Sequence, residues 1–127
     1  MQGNEYQTLA MRTNDGRASE RLEYIMDTLN RFDFPDMGAV LNACLGLSGE
    51  VGEFNDMIKK WIFHEKELDI EHLKKELGDI LWYAAMMCHA FNWNMNEIMQ
   101  INIDKLEARY PKGFDVDKAN NRKNDDV

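Results

Sequence analysis

The sequence predicts an all-α protein, a helical bundle of four to five helices. Apolar residues recur at spacings of three and four over most of the chain, the period of a helix with one buried stripe. The only prolines, Pro35 and Pro111, stand where such patterns begin or end, as expected of a residue that helix interiors reject. No stretch reads as a strand. The 127 residues suit one domain, and a hydrophobic content of 44%, with three Trp, six Phe and nine Met, supplies material for a core.

Residues 4–13 read as a short helix broken by Asn14-Asp15-Gly16. In "ASERLEYIMDTLNRF" the residues Leu22, Ile25, Met26 and Leu29 follow helical spacing. "DFPDMG" is a turn in which Pro35 starts the next helix. From about Met37 to Phe63 the stripe Val40, Cys44, Leu47, Val51, Phe54, Ile58 and Trp61 is continuous. "HEKELD" interrupts it, and Asp69 suits an N-cap. The following helix carries Leu73, Leu77, Ile80, Ala84, Met87 and Phe91 and ends near Asn92. "NMNEIMQINIDKLEARY" makes the last helix, closed by Pro111 and Gly113. Residues 1–114 thus form one domain, and 115–127 a polar tail expected to fray.

Fifteen basic and 23 acidic residues give a net charge of −8. That charge argues against binding a nucleic acid polymer or an anionic membrane, though not against one nucleotide held through a cation. Cys44 and Cys88 lie outside any CxxC spacing and are expected as two buried thiols. No apolar run approaches a membrane span and no signal-peptide core opens the chain, so a cytoplasmic protein is expected.

The stretch "GLSGEVGEF" is unusual for a helix interior, since it holds three glycines, each costing about 1 kcal/mol relative to Ala. At 100° per residue, Gly46, Glu50, Glu53, Met57 and Lys60 fall on one strip beside the apolar stripe. His72, Glu76, Asp79 and Tyr83 form a matching strip on the next helix. Antiparallel pairing of the two helices brings four carboxylates together at the edge of the core. Such a cluster needs protons or a hard, oxygen-seeking cation to offset its repulsion. The glycines then leave room for a helix, ligand or hydrated metal at the backbone. The alternative is two ordinary solvated acidic faces, and spacing alone leaves both readings open.

"GLSGEVGEFNDMIKKWIFH", "LKKELGDILWYAA" and "NIDKLEARYPKGF" together resemble the MazG-like nucleoside triphosphate pyrophosphohydrolases of the all-α NTP pyrophosphatase superfamily, over residues 40–114. The opening "EYQTLAMRT" is similar to that of small stand-alone members rather than tandem-domain ones. The resemblance implies that Glu50, Glu53, Glu76 and Asp79 hold Mg²⁺, with Mn²⁺ as a substitute, and that Asn102 and Lys105 match the family's downstream Asn and Lys. It implies hydrolysis of a nucleoside triphosphate to monophosphate and pyrophosphate, with Glu53 orienting the attacking water. Lys60, Lys105 and Arg109 would face the leaving pyrophosphate. Apart from the resemblance, Tyr83 continues the Asp79 strip and could stack on a base, as could Trp61, although aromatic residues at helical spacing are more often core. The resemblance also implies a homodimer or a dimer of dimers, as do Trp61, Ile62, Phe63, Trp82, Met86 and Phe91, which exceed what single stripes can hide.

Plainer roles stand beside these. Lys60 suits a helix C-terminus, His64 a cap, and His72 an exposed i,i+4 partner of Glu76. His89 reads as partly buried, and Met86, Met87, Met95 and Met99 as core filler. Competing functions are a dUTP- or dCTP-type pyrophosphatase, phosphoribosyl-ATP pyrophosphohydrolase, and a non-enzymatic helical oligomerisation module. A ferritin-like di-iron site is disfavoured because no Glu-x-x-His pair occurs.

Overall fold

Two aspartates set where the long helices begin. The Asp36 side chain accepts the Ala39 N–H at 3.2 Å, and Asp69 accepts the His72 N–H at 3.0 Å, each satisfying a donor that the first helical turn leaves free. The computed structural model describes residues 1–122, and every regular element among them is helical. In order these are α1 (Gly3–Ala10), a 3₁₀ turn (Met11–Thr13), α2 (Ala18–Leu29), α3 (Met37–Phe63), α4 (Ile70–Ala90), α5 (Met95–Arg109) and α6 (Val116–Asn120). The protein is all-α.

Pro35 stands one residue before the Asp36 cap, not in the first turn of α3 as expected. A capping side chain outcompetes a proline start here. The segment after Gly113 was expected only to fray. Instead Asp115 accepts the N–H groups of Asp117 and Lys118, which starts the short helix α6. Residues 123–127 of that tail lie outside the described residues.

α3 and α4 pack against each other as the principal helix pair. Their direction follows from who meets whom: Gly46 touches Tyr83, Glu50 approaches Glu76 and Asp79, and the Asp36 N–H donates to the Ala90 carbonyl at 2.8 Å. Positions rise along one helix as they fall along the other, so the pair is antiparallel. The connection ends α3 with a left-handed residue, Glu65 at φ 53, and the Lys66 N–H reaches back to the Lys60 carbonyl at 3.1 Å. Asn92 at φ 56 closes α4 in the same way, with the Trp93 N–H on the Cys88 carbonyl.

Among the described residues the buried apolar set is small: Ala43, Cys88 and Ala90. Cys44 is exposed, which corrects the expectation of two buried thiols. His89 and Met99 are exposed as well, whereas Met86, Met87 and Met95 are half-buried. Stripe residues Val51, Trp61 and Leu77 stay exposed, and Leu45 reaches 75% and Leu81 59%. The reason is common to all of them. Helical periodicity reports which side is apolar, but among the described residues no element lies over much of it. A compact monomer of this mass would expose roughly 7,000 Å², whereas the chain exposes 10756 Å². No helix among the described residues is long and apolar enough to cross a membrane.

Candidate metal centre

The register of α3 against α4 brings carboxylates from both helices to one place. Glu50, Glu76 and Asp79 each offer an oxygen, and these atoms lie within 4.8 Å of one another. Glu76 is buried, Glu50 half-buried and Asp79 exposed, so the group opens from the helix interface toward solvent. Two of its oxygens, Glu50 Oε2 and Glu76 Oε2, are buried and have no donor. Leaving a buried carboxylate oxygen unpaired is costly.

The charge state responds to this crowding. The Glu50 carboxyl is held above its ordinary value of 4.5, first by burial and then by the Glu53 charge. The neighbouring Glu76 carboxyl adds to the rise, as does the charge of Asp79. A proton relieves the repulsion; so would a cation. Three carboxylates, an oxygen-only donor set and two buried oxygens lacking partners suit a hard divalent ion with water in its shell. The residues present fit such an ion.

Glu53 stands apart from this triad. It is exposed and lines a cleft of about 420 Å³ that runs from Glu76 toward the α3–α4 connection. Residues 50 and 53 are 60° apart on the helix, enough to turn one toward α4 and the other along the cleft. Met57 and Leu68 give that cleft apolar surface, and Lys60 and Lys66 bring positive charge. Lys60 Nζ is 2.6 Å from Asp56 Oδ2, and this contact holds the Asp56 carboxyl below its usual range. Sequence reading overlooked Asp56, although its i,i+4 spacing to Lys60 was visible.

Tyr83 packs on the α3 backbone at Gly46 and meets Trp82 edge to face at 5.0 Å between centroids. Asn102, Lys105 and Arg109 all lie on α5, with the Arg109 guanidinium 5.8 Å from the Tyr110 ring centre. None of these four residues lines the cleft. The structure therefore groups Glu50, Glu76 and Asp79, sets Glu53 and Lys60 along the adjoining cleft, and leaves the α5 residues outside that lining.

A family model for the MazG nucleotide pyrophosphohydrolase domain matches residues 40–114. The Gene 37 protein of Mycobacterium phage L5 is 32% identical over 83 residues, covering 61% of this chain and 72% of that protein. No solved structure matches the chain significantly. The family match runs over α3, α4 and α5, and so over every carboxylate of the triad; the chain belongs to the MazG nucleotide pyrophosphohydrolase domain family.

Proposed function

We propose that this protein is a Mg²⁺-dependent nucleoside triphosphate pyrophosphohydrolase that converts (d)NTP to (d)NMP and pyrophosphate and thereby clears surplus or non-standard nucleotides. One observation carries the reading: three carboxylates from two helices converge within 4.8 Å, with two buried oxygens that no donor satisfies. When bound, Mg²⁺, or Mn²⁺ in its place, would supply charge neutralisation for the phosphates and ease deprotonation of the attacking water. Glu50, Glu76 and Asp79 would hold the ion, while Glu53, on the cleft side, would orient the attacking water and accept its proton. Oxygen from that water bonds to the α-phosphorus, the α–β bridging bond breaks, and pyrophosphate leaves.

Lys60 is the cleft cation suited to the leaving pyrophosphate, once it exchanges Asp56 for phosphate oxygen. Lys105 and Arg109 add charge, and Asn102 hydrogen-bonding capacity, if α5 closes on the cleft; Tyr83 would offer a base only the ring face turned away from Gly46. A panel of canonical, deoxy and modified triphosphates, phosphoribosyl-ATP among them, tests the reading with Mg²⁺ and with chelator. Pyrophosphate with the monophosphate, lost on chelation, is expected, and the preferred member identifies the substrate class. Absence of turnover across the panel overturns the reading.

The proposal includes a homodimer or dimer of dimers. Surface in excess of a compact monomer by roughly 3,700 Å² per chain supports it, more than the about 1,000–2,500 Å² that each partner gives to one obligate interface. Trp61, Ile62, Phe63 and Trp82, with Leu45 and Leu81, are among the exposed apolar side chains available to such assembly.

A further inference from the structure

We infer that His72 is a positioning residue for Glu76: its imidazole holds Oε1 so that Oε2 stays free for a cation. The inference rests on the metal reading above and deepens it. Glu76 is the most enclosed carboxylate of the triad, its side chain only 10% exposed. Its two oxygens have opposite circumstances. Oε1 lies 2.8 Å from His72 Nε2, whereas Oε2 is buried with no partner. An ionised carboxylate can only accept, so the imidazole donates through its Nε2–H.

Local structure makes this donor dependable. His72 sits one helical turn before Glu76, the spacing at which side chains on a helix meet. Its own backbone N–H is fixed by the Asp69 cap at 3.0 Å, so the turn that carries the imidazole is anchored. The His72 side chain is 56% exposed. It therefore reaches Glu76 from the solvent side. Holding one oxygen restricts rotation of the carboxylate plane. A ligand so oriented binds metal more tightly than one that must be ordered on binding, and losing such an outer contact typically costs 10–100-fold in affinity.

An ordinary surface pair of the same spacing would add a few tenths of a kcal/mol to helix stability and leave metal affinity unchanged. Mn²⁺ titration of the full chain separates the two roles, followed by electron paramagnetic resonance at about pH 8, above the ordinary imidazole range. His72→Ala is expected to bind Mn²⁺ roughly 10-fold more weakly than wild type or worse. His72→Gln, whose amide places a donor at similar reach, is expected to stay within about threefold. The rise in melting temperature caused by Mn²⁺ should follow the same order, with far-ultraviolet circular dichroism unchanged. Wild-type affinity in His72→Ala overturns the inference, as does an affinity in His72→Gln no better than in His72→Ala. Failure of the wild type itself to bind Mn²⁺ overturns the metal reading beneath it.

Discussion

Replacing Gly46 with Ala puts two opposed effects on one atom. A Cβ on Gly46 would overlap Cε1, Cδ1 and Cζ of the Tyr83 ring, which rests on the α3 backbone there. In a helix interior Ala is favoured over Gly by about 1 kcal/mol. Forcing a methyl into an occupied contact costs about 1–3 kcal/mol, because the flat of the ring, not a flexible chain end, must move. Gly46→Ala should therefore destabilise the protein by about 0–2 kcal/mol. Where Tyr83 is also replaced by Ala, the obstacle is gone and the same change should stabilise by about 1 kcal/mol. Urea denaturation of the four proteins at one subunit concentration, followed by circular dichroism, gives the coupling between the two sites, expected at about 1–3 kcal/mol. Equal stabilisation by Gly46→Ala in both backgrounds would refute the ring contact as the reason for glycine at this position.

Two further outcomes follow from the carboxylates and the exposed face. A carboxyl raised above 4.5 in the fold retains its proton better than in the unfolded chain, so Glu50 contributes stability below that pH and loses it as pH rises through the raised value. Glu50→Gln should thus melt higher than the wild type in chelator at neutral pH, with the gap narrowing toward pH 4.5; a lower melting temperature at neutral pH would contradict this. Sedimentation equilibrium at micromolar protein should give about twice or four times the 14.9 kDa chain mass, whereas the single-chain mass with full activity on dilution would exclude assembly.

Much of the fold was legible because its signals are local. The span Met37–Phe63 and the Asp69 cap follow from periodicity and one short polar side chain. Pairing of Glu50 with Glu76 and Asp79 was readable too, since two strips beside two apolar stripes must meet when the helices run antiparallel. What escaped depends on the third dimension. Cys44 looked buried because its stripe is apolar, but burial requires a covering element, and none among the described residues buries it. Glu53 shares a strip with Glu50 yet faces the cleft, because 60° of helix rotation decides which carboxylate meets α4. Of the three glycines in the motif, only Gly46 has a neighbour that a Cβ would strike; Gly49 and Gly52 face open space.

The site of bond cleavage is the claim on which the proposed chemistry rests. Hydrolysis of the preferred triphosphate in ¹⁸O-water with Mg²⁺, free of contaminating pyrophosphatase, reads it from the products by mass spectrometry. Attack at the α-phosphorus predicts one ¹⁸O in the nucleoside monophosphate and none in pyrophosphate. Label in pyrophosphate, or release of orthophosphate in place of pyrophosphate, would contradict the account.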